Sequence, residues 1–370
     1  MMKIGIDISQ IIYQGTGVGR FTQGLTEAIL NYDKKNHWLF FFSSFRQSLN
    51  KNIEEKIWQK GHQLISWKLP SFFLSFLFND LHLVTKPLIN TFSSLNSLDW
   101  FITSDWIELP ISIKKATVVH DLVYCRYPQT LPKKIIKTQE KRLHWVKNET
   151  EIIFADSNAT KDDLIDYSKI DPQKIIVNYP GVSIFTPPDN LIKKTLKKYQ
   201  LEEKKFILTV GKIEPRKNIE RLIDAFNKLN PANITLAVVG PQGWGQIKFS
   251  SSNIKYLNYI KDAELYSLYS SCLFFVYPSL WEGFGYPIIE AMALKAPVAC
   301  SNTSSMKEAA QNCALFFNPF DVEDIKLKMK MMLENDKLRK DLVAKGKVNA
   351  KSFTWKNYYL KLIKTLSTFK

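Results

Sequence analysis

The sequence predicts an α/β protein with two similar domains, each a parallel β-sheet wrapped by helices. Strand-like and helix-like patterns alternate along nearly the whole chain, which is typical of parallel sheets with crossover helices. The opening order of strand, glycine-containing loop and amphipathic helix occurs near residue 3 and again near residue 206. With 370 residues, the chain is also long enough to form two separate cores.

The first domain is predicted to span residues 1–182. It begins with the strand KIGIDIS, the loop QGTGVGRF and an amphipathic run to about Leu30. The further predicted strands are short apolar or alternating runs bounded by polar residues. They are HWLFFFS, QLISW, DWFIT, ATVVH, EIIFAD and KIIVN.

The second domain is predicted over residues 183–352. Before it lies NYPGVSIFTPPDN, residues 178–190, whose prolines and glycine interrupt both periodicities and mark a linker. The predicted strands are FILTV, ITLAVV, IKYL, LFFVY, PVACS and ALFF, and one helix begins at about Ile219. Residues 353–370 are predicted to form a closing helix that packs back on the first domain. Ligands of such sheets bind at the carboxyl ends of the strands, so function is expected in the loops that follow them.

Composition and charge narrow the class of protein. The 45% hydrophobic and 23% charged residues are typical of a globular chain, and the four cysteines lack metal-ligand spacing, which favours a reducing cytosol. No signal-peptide pattern precedes the first strand, and the apolar stretch SFFLSFLF is too short to span a bilayer but could lie at its surface. We therefore expect a cytoplasmic protein that could contact the inner face of the membrane.

The net charge of +16 is unevenly distributed. Residues 326–370 hold 13 lysines and arginines against three acidic residues. Such a tail forms either solvated helix faces or a contact with an anionic membrane. Nucleic acid is not expected as a partner, because the chain has no aromatic-basic binding motif.

The first post-strand loop, GTGVG, contains part of a dinucleotide-binding fingerprint. Its full spacing is not met, and the second strand, HWLFFFSS, ends in serines where a ribose-binding acid is required. A nicotinamide-dependent dehydrogenase is therefore disfavoured. Gly17 and Gly19 still permit close approach of the backbone to an anionic or hydroxylated ligand, although a tight turn alone would explain them.

The corresponding loop of the second domain carries a basic pair. Gly211 permits a sharp turn after the strand, and PRKN then presents Arg216 and Lys217 near the start of a helix. A guanidinium beside an ammonium is well suited to diphosphate oxygens. A solvated surface pair is the alternative interpretation.

A third loop, in PSLWEGFGYPIIEAMA (278–293), places two glutamates around a glycine-rich helix start. Backbone amides at such a start favour anions. Glu290, about one turn into the helix, could accept hydrogen bonds from ribose hydroxyls, and Glu282 could do the same for a hexose. Sugar nucleotides carry both diols around a diphosphate, whereas the alternative interpretation is helix capping.

These motifs together resemble those of the retaining glycosyltransferases of family four, which have two facing Rossmann-like domains, a central cleft and the GT-B fold. The resemblance covers essentially the whole chain and implies that residues 1–182 form an acceptor-binding domain and residues 183–352 a nucleotide-sugar-binding domain. It is carried by EGFGYPIIE, GKIEPRKN, VVHDL and ADSNATKDDL. Within this family, the chain most resembles the subgroup that contains O-antigen mannosyltransferases. This resemblance is carried by the segments GTGVGRF, VVHDLVYCRYP, GPQGWG and SNTSSMKEAA.

The resemblance implies a role for each matching residue. Arg216 and Lys217 would bind the donor diphosphate, Glu290 the ribose, and Glu282 the donor sugar. His120 would face that sugar from the first domain, unless it is only structural. The remaining donor-site residues implied are Gly17, Gly19, Gly211, Gly283, Phe284 and Gly285. Tyr286 and Lys307 differ from the residues that are common in the family. These differences affect what the resemblance implies about the nucleotide base and the sugar of the donor.

The function implied is transfer of a hexose, with retention, from a nucleotide-diphosphate sugar to a glycan or lipid-linked acceptor in cell-surface polysaccharide synthesis. GDP-mannose is the expected donor. Alternatives are a transferase of glucose or another hexose from a UDP-sugar, a sugar-nucleotide epimerase and a non-catalytic binder. No cofactor or metal is expected, because the chain has no Asp-x-Asp triplet and Arg216 and Lys217 would neutralise the leaving group. Replacing both by alanine should then lower turnover by at least about 10²-fold.

Overall fold

The chain forms two compact units in a computed structural model that describes residues 1–13, 15–83, 97–245 and 251–369. Unit 1 comprises Met1–Gly181 and Thr354–Lys370, and unit 2 comprises Val182–Phe353. Within the described ranges, no helix is long and apolar enough to cross a bilayer. Each unit contains one parallel sheet, as the strand-helix alternation predicts.

Unit 1 has a parallel sheet with the strand order β3-β2-β1-β4-β5-β6-β7. Its strands are β1 (Lys3–Asp7), β2 (His37–Ser43), β3 (Gln63–Trp67), β4 (Trp100–Thr103), β5 (Lys115–Val119), β6 (Ile152–Ala155) and β7 (Ile175–Val177). Its helices before the linker are α1 (Gly17–Tyr32), α2 (Lys51–Gln59), α3 (Ser71–Ser75), α4 (Val123–Arg126), α5 (Lys133–Glu149) and α6 (Asn158–Ser168). A π-helical turn, Phe76–Asp80, follows α3.

Strand β2 shows why these runs form a buried sheet. Its side chains alternate between the faces, so that Trp38, Phe40 and Phe42 join the core that also contains α1. Phe41 lies in the core on the other side, together with Phe78 of the π-helical turn. Because both faces are covered, a nearly continuous apolar run is stable here.

Unit 2 has a parallel sheet with the strand order β10-β9-β8-β11-β12-β13. Its strands are β8 (Phe206–Val210), β9 (Thr235–Val239), β10 (Ile254–Tyr256), β11 (Phe274–Tyr277), β12 (Val298–Ser301) and β13 (Ala314–Phe317). Its helices are α7 (Asp189–Tyr199), α8 (Ile219–Leu229), α9 (Asp262–Ser271), α10 (Tyr286–Ala293), α11 (Met306–Ala310), α12 (Val322–Glu334) and α13 (Asp336–Ala350). The predicted strands of both units are confirmed within two residues at each end.

The adjacency of β8 and β11 positions the site of unit 2. The chain leaves β8 towards β9 on one side and returns through β11 on the other, which creates a switch point in the strand order. Loops that follow the two central strands therefore diverge over the carboxyl edge of the sheet, where open α/β sheets bind ligands.

The last helix, α14 (Trp355–Thr368), belongs to unit 1. Thr354 caps it by accepting a hydrogen bond from the Asn357 amide at 3.1 Å. Tyr358 and Leu362 are buried in the core that α1 shares. A Cβ atom on Gly24 of α1 would lie 2.0 Å from the Trp355 ring, so glycine is needed at this crossing.

Candidate active site

A cluster of four charged side chains lies at the carboxyl ends of β8 and β11 in unit 2. Arg216 and Lys217 belong to a short 3₁₀ turn after β8, and Glu282 follows β11. The Lys217 ammonium lies 2.6 Å from one oxygen of Glu282, and the Arg216 guanidinium lies 2.9 Å from the other. The two loops meet because their strands are neighbours in the sheet.

Arg216 is fixed by two further contacts. It donates to the Glu214 carboxylate at 2.8 Å and to the backbone carbonyl of Trp281 at 2.5 Å. Only 13% of the Arg216 side chain and 14% of the Lys217 side chain are exposed. The interpretation as a solvated surface pair is therefore wrong, and the charges of Arg216, Lys217, Glu214 and Glu282 sum to zero.

Glu282 receives hydrogen bonds from neutral groups as well as from the cations. The oxygen that contacts Lys217 also accepts from the Tyr277 hydroxyl at 2.8 Å and from the Ser279 hydroxyl at 2.6 Å. Burial would raise the pKa of Glu282, but Arg216 and Lys217 outweigh it and lower the pKa to about 2. A carboxylate offers about four acceptor sites, so a sugar hydroxyl could bind Glu282 only by replacing a present donor.

The loop after β12 holds the backbone around Glu282. The Ser304 hydroxyl accepts from the Glu282 amide at 3.0 Å, and the Ser305 hydroxyl donates to the Glu282 carbonyl at 2.8 Å. These serines lie in SNTSSMKEAA, which supplied a resemblance but no residue role. Sequence reasoning also missed Glu214, Tyr277 and Ser279, whose only signal is their place at a strand end.

The glycine-rich turn leads from Glu282 into α10. Gly285 is the N-cap of that helix and has a φ of 100°, which is strained for any residue with a side chain. The helix begins at Tyr286, so Pro287 is its second residue. Phe284 is buried against Phe353 and Tyr286, whereas Gly283 lies in the turn itself.

Glu290 lies about one turn into α10, where the sequence places it. Its exposed fraction is 2%, and the Tyr269 hydroxyl donates to it at 3.3 Å. Ribose binding by Glu290 stays a prediction.

Gly211 makes room for Lys217. A Cβ atom on Gly211 would lie 3.2 Å from the Cδ atom of the lysine stem. Such a contact is tighter than ordinary packing, so a side chain at residue 211 would require the lysine stem to shift by a few tenths of an ångström. Packing against Lys217 is thus a second reason for glycine here, which the sequence-based argument for a sharp turn did not anticipate.

In unit 1, Gly17 and Gly19 begin α1. Gly17 is its exposed first residue. The Gly19 amide donates to the N-cap hydroxyl of Thr16 at 3.1 Å, and a Cβ atom on Gly19 would lie 2.2 Å from the Tyr13 carbonyl oxygen. A tight turn thus accounts for Gly19, and phosphate or acceptor contact by either glycine stays a prediction.

His120 follows β5 and is paired with Asp156, which follows β6. The His120 Nδ1 atom lies 2.6 Å from the Asp156 carboxylate, and the Phe21 ring packs edge-on against the imidazole. Burial would lower the pKa of His120, but Asp156 outweighs it and raises the pKa to about 9. The raised pKa favours the imidazolium form of His120 at neutral pH. Its partner, Asp156, is a residue that the sequence analysis did not single out.

The residues that the structure describes contain no group of three or more His, Cys, Asp or Glu side chains that could hold a metal ion. Independence from metal stays a prediction.

Comparison with known proteins relates this geometry to function. Residues 192–349 match the family model described as glycosyl transferases group 1. O-antigen chain mannosyltransferase B of Escherichia coli is 29% identical over 375 residues, which cover 96% of this chain and 97% of that protein. O-antigen chain mannosyltransferase RfbU of Salmonella typhimurium is 28% identical over 62% of this chain and 69% of its own length.

Solved structures show the same fold. Anabaena HepE, in complex with UDP and glucose, aligns over 100% of both chains with a TM-score of 0.73 and 16% identity. WaaG, a glycosyltransferase involved in lipopolysaccharide biosynthesis, aligns over 98% of this chain and 99% of its own with a TM-score of 0.70 and 14% identity. The family model and the relatives above support a glycosyltransferase that resembles the O-antigen mannosyltransferases, and the solved structures show that the chain has the GT-B fold.

Proposed function

We propose that this chain is a retaining mannosyltransferase that transfers mannose from GDP-mannose to a glycan or lipid-linked acceptor of a cell-surface polysaccharide. The observation that carries the donor class is the buried cluster of Arg216, Lys217 and Glu282 at the carboxyl ends of two adjacent strands. Preference for mannose is supported by the relatives, two of which are named as O-antigen mannosyltransferases and one of which aligns over nearly the whole chain.

The cluster can supply positive charge to a departing diphosphate without leaving Glu282 unpaired. If Lys217 turns towards the diphosphate, Glu282 keeps its contacts with Arg216, Tyr277 and Ser279. Arg216 stays in place because Glu214 and the Trp281 carbonyl hold it. In this mechanism Lys217 neutralises the developing charge, Arg216 is a fixed donor, and no divalent metal is required.

Retention follows from attack on the face of the sugar that the diphosphate leaves. The anomeric carbon becomes oxocarbenium-like, the acceptor oxygen forms the new bond, and a leaving-phosphate oxygen takes the acceptor proton. We assign no covalent nucleophile. Glu290 would hold the ribose hydroxyls, and the His120 imidazolium, oriented by Asp156, would donate a hydrogen bond to a sugar oxygen.

A membrane-facing surface is proposed on unit 1. Phe72, Phe73 and Phe76 are exposed by 66%, 40% and 50%, which is unusual for neighbouring phenylalanines. Helix α5 is linked to this segment by the Lys141–Asp80 ion pair and carries exposed Lys133 and Lys137 four residues apart. Aromatic side chains beside a basic stripe favour an anionic membrane surface.

The basic C-terminal region contributes less to this surface than its charge suggests. On α12 and α13, Lys326, Lys340 and Lys345 pair with acidic residues three or four positions away. These pairs are typical of solvated helix faces, which was the simpler of the two interpretations of this region. We therefore assign membrane contact to α3, the π-helical turn and α5.

A donor panel tests the proposed reaction. GDP-mannose, UDP-glucose and UDP-N-acetylglucosamine would be incubated with mannoside and lipid-linked acceptors, with and without EDTA, and scored by release of nucleoside diphosphate. We expect release from GDP-mannose that survives EDTA. Preference for a UDP-sugar would favour the alternative hexosyltransferase. Absence of turnover with every donor would contradict the proposal. Recovery of activity by Mg²⁺ after chelation would refute the metal-free mechanism.

Lys217→Met is a more informative variant for this assay than the double replacement of Arg216 and Lys217 by alanine. It leaves Glu282 with Arg216, Tyr277 and Ser279, so the fold should persist while turnover falls by at least about 10²-fold. Replacing both cations by alanine would instead leave two buried carboxylates without cationic partners, a change that typically costs about 3–5 kcal/mol for each broken pair. Lys228→Met, which removes an exposed ion pair of unit 2, is the matched control.

A further inference from the structure

Asp105 and Arg142 form a buried ion pair in unit 1 to which the proposed mechanism gives no role. The Arg142 guanidinium lies 2.9 Å from the Asp105 Oδ1 atom, and the exposed fractions of the two side chains are 1% and 13%. Asp105 follows β4 and Arg142 belongs to α5, so the pair joins a strand end to a helix. Because the cost of desolvating two charges generally offsets most of their attraction, stability alone does not account for such a pair.

Arg142 also holds the end of β5. Its Nη2 atom donates to the Thr117 hydroxyl at 2.7 Å and to the Val118 carbonyl at 2.9 Å. Gln139, three residues earlier on α5, donates to the backbone carbonyl of Asp105 at 3.0 Å. Helix α5 therefore fixes both the side chain and the backbone of Asp105, and the same arginine fixes the last residues of β5.

Asp105 faces His120, the residue that follows β5. Burial raises the pKa of Asp105, whereas the charges of Arg142 and His120 and the backbone amide of His120 lower it. Both Asp105 and His120 line a small cavity of about 20 Å³. A buried amide just beyond the end of a strand needs a hydrogen-bond acceptor outside the ladder, and the Asp105 carboxylate is placed to supply one.

The other contacts of His120 come from neighbouring elements. Its carbonyl accepts from the Thr160 hydroxyl of α6 at 3.1 Å. Its Nδ1 atom lies 2.6 Å from Asp156, and the uncharged ring of Phe21 packs against the imidazole. Because Asp156 engages Nδ1, Nε2 is the ring nitrogen through which His120 can donate to a sugar. Asp105 thus completes a set in which the ring, the carbonyl and the amide of His120 are each held by a different side chain.

The charges around His120 favour its protonated form. Burial lowers the pKa of His120, whereas Asp156, Asp105 and Asp121 raise it, in that order. Arg142 neutralises one of these three carboxylates. The imidazolium therefore compensates part of the negative charge that remains, and Asp105 contributes to this balance from the side opposite to no other cation than its own partner.

We propose that Asp105, fixed by Arg142, is a positioning residue for His120 and holds it so that Nε2 faces the donor sugar. The inference rests on the proposed function only in the role of His120 towards that sugar. Asp105 acts through the backbone amide and through its charge, which favours the form of His120 that donates from both ring nitrogens. Asp156 orients the ring, and Asp105 holds the residue that carries it.

The test follows the His120 ring in the full chain by NMR of isotope-labelled histidine between about pH 6 and 10. The chain has five histidines, and the His120 signals are assigned by their loss in His120→Gln. Asp105→Asn should lower the measured pKa of His120 from about 9 to about 8 or below, because a facing opposite charge is removed. Asp163→Asn, which weakens the buried Arg126–Asp163 pair of the same unit, is the matched control and should leave that pKa unchanged.

A double variant separates this effect from loss of the fold. Asp105→Asn alone leaves the buried Arg142 cation without its carboxylate, which is destabilising. Asp105→Asn with Arg142→Met removes both charges, and its melting temperature should stay close to that of the wild type, because apolar replacement of buried pairs is often neutral. The pKa of His120 should still be lowered in the double variant, since Asp105 raises it.

Donor turnover on the same samples reports on the reaction. The alkaline limb of the pH profile of kcat/KM should move to lower pH in both Asp105 variants and stay in place in Asp163→Asn. A merely structural Asp105 would change the melting temperature without moving this limb.

The inference is overturned if the pKa of His120 is the same in the wild type and both Asp105 variants, or if Asp163→Asn lowers it equally. If that pKa falls while the alkaline limb stays in place, Asp105 does not act in the reaction, and the inference fails while the transferase proposal stands. If the wild type turns over no donor, the proposed function fails. The NMR result then still decides separately whether Asp105 acts on His120.

Discussion

Glu282→Gln is predicted to destabilise the fold in a pH-dependent way. Gln has nearly the same shape as Glu and can still accept from Tyr277, so the change removes mainly the charge that faces Arg216 and Lys217. The pKa of Glu282 is about 2 in the folded chain, against an ordinary value of 4.5. At about 1.4 kcal/mol for each pKa unit, ionised Glu282 contributes about 3 kcal/mol to the free energy of unfolding.

The direction of the pH dependence follows from this lowered pKa. The contribution is fully present above pH 4.5, the ordinary value, and is lost as the pH falls towards about 2. The difference between wild type and Glu282→Gln should therefore be largest at pH 6–7 and shrink below pH 4.5. Urea unfolding followed by fluorescence at pH 7 and at several values below pH 5 measures it.

Glu323→Gln is the matched control for this measurement. The pKa of Glu323 is also lowered to about 2, by Lys228 and Lys326, but its side chain is 56% exposed. Solvent screens exposed ion pairs, so Glu323→Gln should lower the free energy of unfolding only slightly. Added salt should make this loss smaller still. Equal losses for the two variants, or a loss for Glu282→Gln that persists unchanged at acid pH, would refute the argument that buried charge pairing holds the site together.

Three further predictions concern the other proposed sites. Glu290→Gln should weaken nucleoside-diphosphate binding by about 1.5–3 kcal/mol through the ribose; unchanged affinity in calorimetry would exclude that role. Wild-type protein should float with anionic liposomes at low salt, and Lys133→Glu with Lys137→Glu should reduce flotation; absence of binding at any salt would leave only solvated faces. Because Asp156 raises the pKa of His120 from 6.5 to about 9, the stabilisation from this pair is present near pH 6.5 and is lost as the pH rises through about 9, so wild type should lose stability in this interval and Asp156→Asn should not; parallel profiles would contradict the pairing.

The fold and the location of the site were predictable because local patterns determine them. A parallel strand covered on both faces needs an apolar run such as HWLFFFS, and a loop after such a strand lies at the binding edge whatever its length. Arg216, Lys217 and Glu282 could therefore be placed at one edge of one sheet. The polar residues that end each apolar run mark in the sequence where these loops begin.

The pairing of these residues could not be predicted in the same way. Lys217 and Glu282 are 65 positions apart and meet only because β11 lies beside β8, with β9 and β10 on the other side. His120 and Asp156 are 36 positions apart and meet through the β5–β6 register.

The donor site of unit 2 handles its buried charge in a way that bears on selectivity. Glu214 and Glu282 neutralise Arg216 and Lys217 before any donor binds. An entering diphosphate must therefore compete with Glu282 for the Lys217 ammonium. Because discrimination depends on the difference between favourable and unfavourable partners, the site selects an anion that can displace a carboxylate from this ammonium.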